Sequence, residues 1–239
     1  MPNKKNLRIG VLLVDTVQFL DAAPIDLFGM LSKSYLKSHS FPSSVSSLGL
    51  DPVTILYISP SDDDPCLAGL TADAALRVTR SLTSSDCAPG KLDILIIPGP
   101  RPSFQISNDI KAFVQGHAAV EKTIVMTICT GIFVAAQAGI LHGKTATGTG
   151  AFLPELKEKY KDVDWVRRRW AVDGNFWSSG RSLPSSLSND RDLHDTGTIT
   201  NGNDMVAAFL KQHYPGTLSE SICSAADVGD RGQDFPQSN

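Results

Sequence analysis

The chain has 239 residues, of which 41% are hydrophobic and 20% charged, and its formal net charge is −3. This composition is ordinary for a globular protein and disfavours the fibrous and wholly disordered classes. A negative net charge provides no overall basic surface for a phosphate backbone, so nucleic acid is not an expected partner. The longest apolar runs, GVLLV and LDILII, are far shorter than a membrane-spanning helix, so no membrane association is expected.

Alternation of strand and helix patterns characterises the first half of the chain. Helices are predicted from about Pro24 and over residues 109–119, and the Ser-rich residues 37–51 are predicted to form a loop. A peripheral strand with one polar face is predicted at residues 76–82. Continuous apolar runs predict buried strands at residues 8–14, 53–59, 92–97 and 123–128. The order predicts a mainly parallel sheet covered on both faces, a three-layer α/β/α sandwich.

After residue 143 the pattern changes. Branched and aromatic residues at 163–172 and 175–178 predict two antiparallel strands, with Asp173-Gly174 as the hairpin turn between them. Residues 180–196 are almost free of apolar side chains, so an exposed or disordered insert is expected there. Two final helices are predicted at residues 204–214 and 218–226. We therefore expect one domain over residues 1–239, a length that suits a single core.

Four cysteines are spread along the chain without any CxxC pair: Cys66, Cys87, Cys129 and Cys223. Such spacing indicates a reducing compartment, and the segment MPNKKNLRIG lacks the apolar stretch of a signal peptide, so a cytoplasmic location is expected. Cys129 differs from the other three because a buried strand leads into Cys129-Thr130-Gly131 and then into an Ala-rich helix. This arrangement predicts a nucleophile elbow, in which the helix N-terminus favours the thiolate and its N–H groups could hold an oxyanion.

A catalytic thiol needs a group that accepts or donates a proton. Asp21 follows the first strand, so a parallel sheet would bring it to the same edge as Cys129, although a helix-capping role is an equal alternative. Asp26 is a second candidate, although an acid in the first turn of a helix has a structural explanation. None of the five histidines follows a strand end, and no metal-ligand spacing or phosphate-binding loop is present. No metal or other cofactor is expected.

Several segments together resemble the ThiJ/PfpI family, whose members have a flavodoxin-like class I glutamine amidotransferase fold and include the parkinsonism-associated deglycase branch. The resemblance extends over nearly the whole chain, and some segments are similar to fungal members. The segments that carry it are FLDAAPIDLFG, DILIIPG, ICTGIFVAAQAGILHGKTAT, WVRRRWAVDGNFWSSG, ITNGNDMVAAFLKQHYP and VGDRGQDF.

This resemblance assigns roles to individual residues. Cys129 matches the elbow cysteine, Asp21 the acidic partner, and Thr130 and Gly99 the residues whose amides form the oxyanion pocket, to which Gly131 is added as a substrate-binding candidate. Asp21 lies one residue nearer to the following proline than is usual. The residue after Gly99 is Pro100 instead of a second glycine, which removes one N–H donor. Thr149 or its neighbour occupies the place of the histidine that hydrolase and glyoxalase relatives carry.

Since threonine is no general base near neutral pH, the resemblance favours chemistry that needs only a cysteine and an acid. We therefore expect hydratase or lyase chemistry on a small electrophile, similar to isonitrile hydratases. Alternatives are a redox sensor with an oxidisable Cys129, a glyoxalase or deglycase, and a scaffold whose site has decayed. The family also implies a homodimer and a small-molecule substrate. The tryptophans Trp165, Trp170 and Trp177 are expected to pack in the core rather than to form a ligand cage.

Overall fold

The structure is a computed structural model that describes residues 5–61, 66–180 and 200–235. The strands in these ranges are β1 Leu7–Leu12, β2 Val53–Ser59, β3 Leu67–Leu70, β4 Ala74–Arg77, β5 Arg80–Ser81, β6 Ile94–Ile97, β7 Ile124–Ile128, β8 Thr145–Ala146, β9 Asp164–Trp165, β10 Trp170–Asp173 and β11 Phe176–Ser179. The α-helices are α1 Phe19–Ala22, α2 Pro24–Gly29, α3 Lys33–Ser38, α4 Ser43–Ser46, α5 Asn108–Ala118, α6 Gly131–Ala138, α7 Leu153–Lys159, α8 Asn201–His213 and α9 Thr217–Ala225. No helix within these ranges is long and apolar enough to cross a membrane.

A seven-stranded sheet with the order β10-β11-β7-β6-β1-β2-β5 forms the centre of the fold. Every neighbouring pair in it is parallel except β10 and β11. The C-terminal ends of β1, β6, β7 and β11 therefore meet at one edge, where α/β proteins commonly place their sites. Two small pairs, β3 with β4 and β8 with β9, lie outside this sheet.

The apolar side chains of the sheet alternate between two cores. On β7, Ile124, Met126 and Ile128 belong to one hydrophobic cluster, whereas Val125 belongs to the other. The first cluster includes apolar residues of α2, α3, α8 and α9, and the second includes those of α5, α6 and α7. Strands buried on both faces need continuous apolar runs, which explains why the central strands could be recognised from the sequence. The predicted three-layer α/β/α sandwich is confirmed.

Most predicted elements are confirmed, and two details differ. The hairpin turn lies at Asp173-Gly174, where Gly174 has φ +60°, and the three tryptophans are at most 7% exposed. Residues 37–51 are not only loop, because α3 ends there and α4 forms within them. The strand predicted at residues 76–82 is interrupted, so β4 pairs with β3 while β5 joins the main sheet. The predicted insert at residues 180–196 lies outside the described residues except for Gly180, which is buried.

Candidate active site

Cys129 lies at the sharp turn between β7 and α6. Its φ is +56°, a left-handed conformation that is unusual for a residue with a side chain and is typical of strained functional turns. The Cys129 N–H donates a hydrogen bond to the Ser179 carbonyl oxygen at 3.1 Å, which extends the parallel pairing of β7 and β11 past the strand ends. The side chain is partly exposed. This is the nucleophile-elbow geometry that the sequence predicts.

Gly131 allows α6 to begin directly beside the end of β6. A Cβ atom at this position would overlap the Ile97 carbonyl oxygen. Any larger residue would therefore push the helix away from the sheet and change the turn that holds Cys129. Gly131 is needed for close packing at the elbow, and no contact of the glycine with the thiol is seen.

Asp21 is brought to Cys129 by α1 and is only 1% exposed. Its carboxylate raises the pKa of the Cys129 thiol through its charge and through a side-chain hydrogen bond. Gly99 closes the other side, because a Cβ atom there would lie 2.9 Å from Asp21 Oδ2 and would overlap Thr130 Oγ1. The structure thus unites Cys129, Asp21, Gly99 and Thr130 at one edge of the sheet.

Thr130 contacts two parts of the site. Its backbone N–H hydrogen-bonds the Cys129 sulfur, which lowers the pKa of the thiol. Its Oγ1 donates to the Pro100 carbonyl oxygen at 2.6 Å. Pro100 has no N–H to offer a substrate, and its carbonyl fixes Thr130 instead. The Thr130 amide is consequently placed to stabilise negative charge on sulfur.

Thr149 occupies the other side of the thiol. Its Oγ1 lies 3.4 Å from Cys129 Sγ, and Thr149 as a whole is 7% exposed. None of the histidines in the described ranges hydrogen-bonds to Cys129: His117 is buried in α5 and bonds to the Cys87 carbonyl at 3.0 Å, and His194 lies outside those ranges. A hydroxyl therefore stands where a Cys-His enzyme would need an imidazole.

The Cys129 thiol is less acidic than the sequence indicates. Its pKa is raised to about 11, first by burial and then by the charge of Asp21, while the hydrogen bonds from Thr149 and Thr130 act in the opposite direction. The Thr130 amide at the start of α6 does favour the thiolate, as the sequence predicts, but the expectation of a thiol that ionises more easily than a free cysteine is wrong for this site. Desolvation and a neighbouring carboxylate both disfavour a second negative charge, and here they outweigh the favourable amides.

The structure separates the remaining candidates from the site. Asp26 is exposed in the first turn of α2; burial raises the pKa of Tyr57, and the charge of Asp26 raises it further. Cys87 and Cys223 are buried free thiols, and Cys66 is a partly exposed one. No group of metal-ligating side chains is found in the ranges that the structure describes.

Two contacts of the site were not found from the sequence. The Ser179 carbonyl holds the Cys129 amide, and Gly180 packs on Gly148, where a Cβ atom at 180 would overlap the Gly148 carbonyl oxygen. Local patterns cannot show that β11, the second strand of a hairpin, pairs with β7. The available signal was the presence of glycine at both positions, 148 and 180, because glycines mark places where backbones approach closely.

The chain matches a known protein family. The model of the DJ-1/PfpI family matches residues 53–187, more than half of the chain. A deglycase PfpI of Pyrococcus furiosus is 29% identical over 111 residues, which cover 46% of this chain and 66% of that protein. An isonitrile hydratase of Pseudomonas putida is 30% identical over 119 residues, 48% of this chain and 49% of its own length. The chain thus aligns with about half to two thirds of these relatives.

Solved structures agree on the fold. DJ-1 of Schizosaccharomyces pombe superposes with a TM-score of 0.65 at 14% identity, covering 92% of this chain and 98% of that one. A protein of Pseudomonas putida described as an AraC family transcriptional regulator gives 0.67 at 12% identity, with 92% and 99% covered. At such identities the likeness concerns the fold alone. Together with the matched family model, it shows that this chain is a member of the DJ-1/PfpI family.

Proposed function

We propose that this protein is a cysteine-dependent hydratase that adds water to a small electrophile, with isonitriles as the first substrate class to test. The observation that carries the proposal is the contact of Cys129 with the buried Asp21 carboxylate in a described site that has threonine in place of histidine. The similarity to an isonitrile hydratase supports the choice of substrate.

The reaction proceeds in two additions. In the first, the Cys129 S–H adds across the isonitrile carbon: sulfur forms a C–S bond, the thiol proton goes to the same carbon, and a thioimidate results. In the second, water adds across the C=N bond, with its oxygen on that carbon and one proton on nitrogen; the C–S bond then breaks, the remaining hydroxyl proton goes to sulfur, and an N-substituted formamide leaves. Asp21 accepts the thiol proton and passes it to the carbon, and later takes one from water.

The raised pKa of Cys129 suits this route. A thiol with a pKa of about 11 remains protonated near neutral pH and so carries the proton that the isonitrile carbon must receive. When the C–S bond breaks, the Thr130 amide and the Thr149 hydroxyl can stabilise the negative charge that develops on sulfur. A Cys-His hydrolase would need a thiolate at rest, which this environment disfavours.

Formamide formation tests the proposal. The purified protein is incubated with an alkyl and an aryl isonitrile, and the N-formamide is quantified by chromatography. We expect turnover that is abolished in Cys129→Ala while the circular dichroism spectrum is unchanged. Turnover that persists in Cys129→Ala would exclude the thiol mechanism, and conversion of a dicarbonyl adduct without any isonitrile hydration would favour the deglycase alternative.

Redox sensing at Cys129 is the second candidate, because the sulfur is partly exposed and the Asp21 carboxylate could hydrogen-bond an oxidised sulfur. Intact mass after mild peroxide treatment discriminates between the two. Selective addition of oxygen at Cys129, in a protein that converts no isonitrile, would favour the sensor. Slow and unselective oxidation is expected if the protonated thiol serves hydration.

We further propose that the protein forms a homodimer and is located in the cytoplasm. Three large apolar side chains of α1 and β3 are exposed: Phe19 is 52%, Leu20 51% and Leu67 60% exposed. Bridge pairing of Val17 with Leu70 joins the segment before α1 to β3. Exposed apolar side chains on one part of the surface are typical of protein interfaces, and a second copy of the chain is the partner that we propose.

A further inference from the structure

We propose that Asn201 is a positioning residue that sets the contact between Thr149 and Cys129 through the backbone of Gly180. The proposal rests on the proposed reactive role of Cys129 and concerns its positioning only. Asn201 is the first residue of α8 and is 1% exposed. Its Nδ2 donates to the Gly180 carbonyl oxygen at 2.5 Å.

Gly180 is held from three directions. Its N–H donates to the Arg169 carbonyl oxygen at 3.1 Å, its carbonyl accepts from Asn201, and its Cα side faces the backbone of Gly148. A Cβ atom at 180 would lie 3.0 Å from Gly148 Cα and would overlap the Gly148 carbonyl oxygen. The position of Gly180 therefore sets the position of Gly148 and of the neighbouring Thr149.

The same segment also contacts the thiol turn. Ser179, which precedes Gly180, accepts the hydrogen bond of the Cys129 N–H at 3.1 Å. Thr149 reaches Cys129 Sγ at 3.4 Å from the other side. The segment Ser179-Gly180 thus bonds to the Cys129 amide on one side and packs on Gly148, the residue before Thr149, on the other.

The first turn of α8 is a fixed support for Asn201. Arg231 forms an ion pair with Asp204 and donates to Thr200 Oγ1 at 2.6 Å. On the inner side, a Cβ atom at Gly202 would lie 3.0 Å from Ile128 Cγ2 and from Pro24 Cγ. The helix therefore packs closely against the end of the strand that carries the elbow.

Burial alone does not explain why an amide side chain occupies position 201. Its Oδ1 is buried and accepts no hydrogen bond within the structure as described, and a buried acceptor without a partner is unfavourable. Leucine has the same number and branching of side-chain heavy atoms, although its methyl groups are larger, and it would remove that unsatisfied atom. The contribution that only the amide makes is the bond to the Gly180 carbonyl.

A double-mutant cycle tests this role by the rate at which iodoacetamide alkylates Cys129, followed by intact mass in a Cys66→Ser background. Cys87 and Cys223 are buried. We expect Thr149→Val and Asn201→Leu each to slow alkylation by about threefold or more, because the first removes the hydroxyl that stabilises the thiolate and the second displaces that hydroxyl from the sulfur. The double variant should be no slower than the slower single variant, since coupled residues are not additive.

Asn203→Leu is the matched control, because Asn203 lies in the same turn, is partly buried and makes no side-chain hydrogen bond within the described ranges. It should alkylate at the parental rate. Additive effects in the double variant, or faster alkylation in Asn201→Leu, would overturn the proposal. Asn201→Ala replaces the leucine variant if the latter does not fold. Since alkylation needs no substrate, a failure to hydrate isonitriles would refute the proposed function and leave this result standing.

Discussion

The carboxylate of Asp21 and the thiol of Cys129 form one electrostatic unit, in which the charge of Asp21 and its side-chain hydrogen bond both raise the pKa of the thiol. Asp21 is almost completely buried, so water screens this interaction weakly. The pair can exchange a proton, but it does not favour a resting thiolate. This distinction favours a reaction that starts from the protonated thiol.

Removing the charge of Asp21 should make Cys129 more acidic. In Asp21→Asn we expect the pKa of the thiol to fall below the value of about 11, because the neutral amide no longer repels the thiolate. The thiolate absorbance in the ultraviolet, measured against Cys129→Ala as the blank, gives the titration curve. Asp26→Asn is the matched control, since Asp26 is exposed on α2, and it should leave the curve in place. An unchanged or higher pKa in Asp21→Asn would contradict the assignment.

The pH dependence of the two reaction rates should show whether each reaction uses the thiolate or the protonated thiol of Cys129. Alkylation by iodoacetamide needs the thiolate, so below the thiol pKa of about 11 its rate should rise by about tenfold per pH unit. Hydration that starts from the protonated thiol should show no such rise between about pH 7 and pH 9. Stopped-time assays of both reactions on one protein preparation make the comparison. A parallel rise of both rates would show that hydration uses a thiolate present at rest.

Gly131 should tolerate no side chain. Gly131→Ala places a methyl group against the Ile97 carbonyl oxygen, so we expect a loss of about 1–3 kcal/mol in the free energy of unfolding, as for other overpacked sites. Urea denaturation measures it. Gly232→Ala is the matched control, because a Cβ atom at Gly232 meets nothing within 4 Å. Gly139→Ala is unsuitable, because the φ of +76° at Gly139 would itself strain an alanine. Equal stability of the two alanine variants would contradict the close packing described.

The proposed dimer predicts that a charge on the exposed apolar surface of α1 and β3 prevents association. Leu67→Asp should produce monomers in analytical ultracentrifugation, because it would bury a carboxylate in the proposed interface. Leu48→Asp is the matched control, since Leu48 is similarly exposed, at 51%, beyond α4, and it should leave the mass unchanged. If the wild-type chain sediments as a monomer, or if Leu67→Asp remains a dimer, this surface is not the interface.

Much of this site could be predicted from local sequence because its main parts follow apolar strands. The run that ends at Ile128 and the small residues after it specify the elbow at Cys129. The thiol pKa could not be predicted, since it depends on how deeply the sulfur is buried and on Asp21, which is distant along the chain. The helix dipole was the only local influence visible, and it has the opposite sign.

The contributions of Ser179 and Asn201 are non-local and leave no periodic signal. Ser179 contacts Cys129 only because β11 pairs in parallel with β7, and the hairpin pattern of residues 163–178 specifies its antiparallel partner alone. Asn201 begins α8 three residues before the predicted start of that helix. A polar residue at the start of a helix is usually explained by capping. The sequence therefore provided no reason to predict the hydrogen bond from Asn201 to Gly180.

The most direct test of the Cys129–Asp21 mechanism is the isonitrile turnover of Asp21→Asn, measured beside its alkylation rate. The account predicts that formamide production falls by about 100-fold or more, as expected for loss of a proton-transfer group, while Cys129 still alkylates at least as fast as in the wild type. Turnover within about twofold of the wild type would contradict it, because the thiol would then be working without the carboxylate.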